Sequence, residues 1–172
     1  MTKRFDGDGN TRHHLQSLCA IAHIDYRQKA THEVSQLLLA VDSLHLGYPS
    51  LEEAFRRVSF NVMAANCDDH SKNFSFLLRE GKGWELAPAY DVTYAYNPDG
   101  EWTYQHLMSV NGRFAGISRD DLLVAADRFG IGTAPRVLKQ VGEAVSAWPD
   151  HAKRATVSGT EVKRIGEHHR IL

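Results

Sequence analysis

The chain has 172 residues, 42% of them hydrophobic and 24% charged, with 20 Lys plus Arg against 21 Asp plus Glu and a formal net charge of -1. That is an ordinary globular composition, long enough to bury one core, and it excludes a global basic field for nucleic acid or an anionic membrane. No apolar run spans a bilayer, residues 1–6 contain no signal-peptide core, and two cysteines, Cys19 and Cys67, are too few for a disulfide framework or a thiolate zinc site. The expected setting is a reducing cytoplasm.

The chain opens on Lys3, Arg4, Phe5 and Asp6, followed by the turn-like Gly7-Asp8-Gly9-Asn10. Leu15, Leu18, Cys19 and Ala22 recur at helical spacing and predict a first helix. Val34, Leu37, Leu38 and Val41 predict a second, with Thr31 as its N-cap and Gly47 near its end. Ser50-Leu51-Glu52-Glu53 has the form of a capping box and opens a third helix through Leu51, Ala54, Phe55, Val58, Val62 and Ala65. The period then stops at the polar run Asn66-Cys67-Asp68-Asp69-His70-Ser71-Lys72-Asn73. Phe74-Ser75-Phe76-Leu77-Leu78 and Trp84-Glu85-Leu86-Ala87 flank Glu80-Gly81-Lys82-Gly83 and read as a β-hairpin, with Pro88-Ala89-Tyr90-Asp91 directly after it. A smaller strand pair is expected around Asn111-Gly112. Ser118-Arg119-Asp120-Asp121 caps a helix closed by Gly130, Thr133 opens a longer one stopped by Pro149, and residues 159–172 predict a last polar helix. The fold class is mainly α with one or two short β-hairpins.

An acidic loop after a buried helix, a hairpin, and one more Asp at the strand exit form the set of parts that phosphoryl transfer needs. One Asp orients or deprotonates the attacking hydroxyl, while an Asn and a second Asp hold Mg²⁺ against the triphosphate. Asp68 and Asn73 stand at the Asp-x-x-x-x-Asn interval of a kinase catalytic loop, and a hairpin returns the chain so that Asp91 falls near Asn73. Taken alone, such a loop is more often a solvated turn that caps the next element; the hairpin and Asp91 shift that balance. Asp69 reads as the solvent-facing neighbour of Asp68.

Residues 60–75 and Leu86-Ala87-Pro88-Ala89-Tyr90-Asp91-Val92 closely resemble the C-terminal lobe of HipA-type serine/threonine kinases, the toxins of bacterial toxin–antitoxin pairs. Both parts of that family's pattern, Asn-x-Asp-x-His-x-Lys-Asn and Leu-x-Pro-x-Tyr-Asp, are present without gaps. Arg4-Phe5-Asp6 and Met108-Ser109-Val110-Asn111-Gly112 are also similar to it. The resemblance implies a kinase-like C-terminal lobe over residues 1–172, with residues 1–10 as an interlobe hinge. It implies Asp68 as the catalytic residue, His70 in the catalytic and nucleotide-phosphate region, and Asn73 and Asp91 as Mg²⁺ ligands. Lys3, Arg4 and Phe5 align with the hinge that meets adenine, Asp6 with a ribose contact, and Tyr90 packs near the nucleotide. ATP and Mg²⁺ are the implied cofactors. The implied partners are a HipB-like helix-turn-helix antitoxin and a protein substrate, aminoacyl-tRNA synthetases among the family's targets, with no direct DNA or membrane binding.

The chain contains no Gly-x-Gly-x-x-Gly and no Lys in a Val-Ala-x-Lys strand, so the N-terminal lobe is expected to be absent. The alternative is therefore a catalytically silent or split-kinase module that binds an antitoxin or a separate N-lobe. A third reading, a metal-dependent phosphohydrolase using Asp68, Asp69, His70 and Asp91, fits the residue types but leaves Asn73 unexplained. The adjacent pairs His13-His14 and His168-His169 make poor chelates because neighbouring side chains point apart. Cys67 reads as packing, and Lys153, Arg154, Lys163, Arg164 and Arg170 as a solvated face.

Overall fold

The longest apolar stripe in the sequence becomes the centre of the fold. In a computed structural model, which describes residues 4–172, helix α3 (Gly47–Met63) packs between α2 (Val34–Ser43) and α5 (Ala134–Ser146). Leu51, Ala54, Phe55, Val58, Val62 and Met63 of α3 are buried with Leu37, Leu38 and Val41 of α2 and Val137, Leu138 and Val141 of α5. Each large side chain so buried contributes about 1.5–3 kcal/mol of transfer free energy.

The boundaries of these helices differ from their sequence signals. The N-cap of α2 is Glu33, which forms a capping box with Gln36, so Thr31 lies outside the helix. Gly47 does not close α2: at φ +77°, a conformation open to glycine, it turns the chain into α3. Ser50 consequently lies inside α3, where its hydroxyl donates to the Leu46 carbonyl at 3.1 Å, and Glu52 and Glu53 pair with Arg56 and Arg57 instead of capping.

The helix predicted around Leu15 is mostly strand. β1 (Gly7–Asp8) and β2 (Thr11–Arg12) form a small hairpin; β3 (His14–Ser17) follows, and only a single turn, α1 (Leu18–Ile21), is helical. β3 pairs antiparallel with β5 (Ser75–Leu78), which pairs antiparallel with β6 (Trp84–Leu86), in the order β3-β5-β6. Leu15 and Leu18 satisfy an i, i+3 pattern, but a partner sixty residues away supplies hydrogen bonds that the pattern cannot report. The predicted hairpin is β5–β6. A parallel pair, β4 (His32–Glu33) with β7 (Met108–Ser109), ties the start of α2 to the segment before Asn111. Around Asn111-Gly112 there is a turn closed by a single Val110–Arg113 bridge.

At the C-terminal end, α4 (Arg119–Arg128) has the predicted capping box between Ser118 and Asp121, and Thr133 is the N-cap of α5. Pro149 does not stop α5, which ends at Ser146; it lies in the first turn of α6 (Trp148–Arg154), where its missing N–H costs nothing. α7 (Gly159–Gly166) is the last helix. No helix among the described residues is long and apolar enough to cross a membrane.

The buried Asp121 makes α4 sensitive to acid. The Ser118 hydroxyl, then Asn111 and the Ser118 amide, hold its carboxyl down to about 2. A carboxyl lowered on folding adds stability above its ordinary range, and that stability is lost as pH falls through the folded value. The stability gap between the wild type and Asp121→Asn should therefore narrow between pH 4 and 2, as urea melts over that interval will report. A gap independent of pH contradicts the assignment.

Candidate active site

The loop 66–73 leaves the end of α3 through Ala65, which has φ +54°. Its first residue is doubly tied to the helix: Asn66 N–H donates to the Asn61 carbonyl at 2.9 Å, and Asn66 Nδ2 donates to Asn61 Oδ1 at 3.0 Å. The far end closes on itself. Asn73 Nδ2 donates to the Asp68 carbonyl at 2.7 Å, and Asn73 N–H donates to the His70 carbonyl at 2.9 Å. The Asp-to-Asn interval thus has a local physical reason, since the Asn side chain holds the backbone of the Asp that begins the turn.

Asp68 presents its carboxylate with 41% of the side chain exposed. His70 Nε2 lies 3.6 Å from Asp68 Oδ1, and His70 Nδ1 accepts the Lys72 N–H at 3.2 Å. A neutral ring whose Nδ1 accepts carries its proton on Nε2, facing Asp68. Lys72 does not enter the loop's interior; its ammonium lies 3.9 Å from the centre of the exposed Tyr26 ring.

Asp69 is not the solvent-facing neighbour that its position suggests. It is 5% exposed, and both oxygens are used: Oδ2 lies 2.8 Å from His106 Nδ1, while Oδ1 accepts the Leu107 N–H at 2.7 Å and the Met108 N–H at 3.4 Å. This carboxylate clamps the loop to β7, and with both oxygens committed it is not free to serve a phosphohydrolase metal centre. No local sequence signal marks it, because all three partners lie almost forty residues downstream.

The hairpin returns the strand exit to the loop. Ala87 N–H donates to the Ser75 carbonyl at 2.9 Å, and Arg57 of α3 donates to the Ala87 carbonyl at 2.7 Å. The Tyr90 hydroxyl bonds both the Ser75 hydroxyl and the Lys72 carbonyl, and burial raises its pKa. Tyr90 thereby fastens the residue before Asp91 to the loop that ends in Asn73. Asp91 is exposed with φ +53°, a left-handed conformation that Asp tolerates better than most residues. Asn73 and Asp91 line one cavity of about 280 Å³, together with Asn61, Asn66, Phe60 and Tyr90.

The opening segment reaches the same edge. The Phe5 ring lies 5.8 Å from that of Tyr90, and Arg4 bonds Asp6 through Nε at 2.8 Å, which holds the Asp6 carboxyl at about 2. Lys3 lies outside the described residues. Cys67 is buried beside the loop, and burial, followed by the Asp69 charge, pushes its thiol up to about 12, so it packs as a neutral side chain. His168 is engaged elsewhere, its Nδ1 2.8 Å from the Tyr94 hydroxyl, and His169 lies edge-on to Trp148. Among the described residues no group of three or more His, Cys, Asp or Glu could hold a metal ion.

The model of the HipA-like C-terminal domain matches residues 1–151. The chain belongs to that family. Among solved structures, a chain of the HipA, HipB and operator DNA complex from the toxin–antitoxin system of Shewanella oneidensis MR-1 matches with a TM-score of 0.68 at 17% identity, over 96% of this chain and 45% of that one. The HipA-like lobe described here thus shares the fold of that structure and spans about half its length. No curated protein matches the chain.

Proposed function

We propose that this HipA-like domain is the C-terminal lobe of a protein serine/threonine kinase that transfers the γ-phosphate of ATP to a Ser or Thr hydroxyl. The carrying observation is that Asn73 and Asp91, eighteen residues apart, line one cavity beside the loop that presents Asp68. The donors suit Mg²⁺, since Asn73 and Asp91 offer hard oxygens, and Asn66, whose Oδ1 is buried and unpartnered, lines the same cavity. Asn73 and Asp91 would hold the ion, which when bound neutralises phosphate charge.

The other residues act as bases, props and edges. Asp68 is exposed enough to meet a hydroxyl and accepts its proton or orients it. His70 stands beside this carboxylate, its Nε2 3.6 Å from Asp68 Oδ1. Phe5 on Tyr90 and the Arg4–Asp6 pair form one edge of a nucleotide site, in keeping with the hinge role implied for residues 3–6. A HipB-like antitoxin is the proposed partner, supported by the presence of HipB in the complex that contains the matched fold.

The chain spans 45% of the HipA structure it matches. Half a cleft loses most of the positioning on which this chemistry depends. The 172-residue chain alone is therefore expected to bind ATP·Mg²⁺ weakly and to turn it over little, which calorimetry and a labelled-phosphate assay will show. A kinase that includes the upstream lobe should transfer label to Ser or Thr and lose that transfer on Asp91→Asn. Transfer that persists at the wild-type rate in Asp91→Asn ends the kinase reading of this site.

A further inference from the structure

Only two side-chain polar atoms among the described residues are buried without a hydrogen-bond partner, Asn66 Oδ1 and Ser71 Oγ. Ser71 is not part of the cavity that Asn73 and Asp91 share, whereas Asn66 lines it. Asn66 is 2% exposed, and its Nδ2 donates to Asn61 while its Oδ1 has nothing to accept from. A buried acceptor left unpaired is costly, and such a group is retained where a ligand or water completes it.

We propose that Asn66 is a third side chain of the cation site. Its Oδ1 accepts a hydrogen bond from a water bound to the cation that Asn73 and Asp91 hold. The inference rests on the cation reading given above for those two residues. Three features favour a water over a direct bond. A hard dication of the Mg²⁺ type keeps several of its waters, and two protein ligands leave room for them. Such waters are strong donors and need fixed acceptors in the protein. An amide oxygen in that second position orients the water without adding charge beside Asp91; Glu53, the other carboxylate of the cavity, is paired with Arg56 and Arg57. In the cation-free protein the oxygen is shielded from solvent, and a small turn of the amide towards the cavity brings it into use. The Asn61 contact gives that turn a pivot.

The test uses Mn²⁺ as the probe, titrated into this chain and followed by the loss of the free-ion resonance signal. The wild type should bind at one site. Asn66→Ala should weaken binding about fivefold, the effect of one lost hydrogen bond. Asn66→Asp, which keeps the shape and places a second carboxylate at the site, should tighten it roughly tenfold. Asp91→Asn should abolish binding. Wild-type affinity in both Asn66 variants, with binding lost in Asp91→Asn, overturns the role of Asn66 and leaves the cation reading standing. Wild-type affinity in Asp91→Asn overturns the cation reading and this inference with it. If circular dichroism shows Asn66→Ala unfolded, Asn66→Asp decides alone, and an unchanged affinity there overturns the inference.

Discussion

Asp68→Asn in a kinase containing both lobes is expected to lower phosphoryl transfer by roughly 10²–10⁴-fold, the range that a positioned base supplies. The substitution keeps the size and shape of the side chain and removes its ability to accept a proton. It should spare the fold because the Asp68 carboxylate takes no part in holding the loop: its described neighbour is His70 at 3.6 Å, whereas the Asp68 carbonyl, which Asn73 grips, is unaffected. The melting temperature of this chain should therefore move little. KM for ATP should also change little, since no metal or adenine contact is assigned to Asp68. A variant that transfers phosphate at the wild-type rate refutes the assignment, and one that loses the fold refutes the account of the loop.

What was legible in the sequence was local. The stripe from Leu51 to Val62 specifies α3 because helical neighbours lie three and four residues apart. The run from Phe74 to Ala87 specifies a hairpin because its turn is short. The interval from Asp68 to Asn73 is legible for the same reason, since the bond that makes it useful closes within the loop. Where partners are remote, the pattern misleads. Leu15 and Leu18 mimic a helix, yet β3 is fixed by Ser75, Phe76, Leu77 and Leu78. The pairing of β4 with β7 joins residues about seventy-six apart and leaves two-residue strands that no period can reveal. Helix ends failed in another way. Ser50 has the right residue type for a cap, but Gly47 offered an earlier start, and tertiary packing extended α3 to it.

Asp69 shows how far such a remote partner can matter for the site. Asp69→Ala is expected to destabilise the chain by about 3 kcal/mol, because it strips partners from a buried ring nitrogen and two backbone amides at once. The loss should be larger than that of the exposed Asp68, one residue away, although composition and spacing do not distinguish the two. Asp69→Asn supplies the control. Its amide oxygen can still accept from Leu107 N–H, and its Nδ2 can donate to His106 if that ring moves its proton to Nε2, so the cost should fall to about 1 kcal/mol. Urea denaturation of the three proteins measures these differences. Amide exchange locates them, because in Asp69→Ala the Leu107 and Met108 amides should lose protection while the amides of α3 keep theirs below global unfolding. The mechanical consequence follows from the same bonds. The Asp69 clamp holds the residue after Asp68 against β7, so releasing it frees the carboxylate proposed to meet a hydroxyl, and transfer by a two-lobe kinase should fall in Asp69→Ala even at temperatures where the fold persists. An Asp69→Ala protein as stable as the wild type, with Leu107 still protected, would show that the loop is held in place by other means.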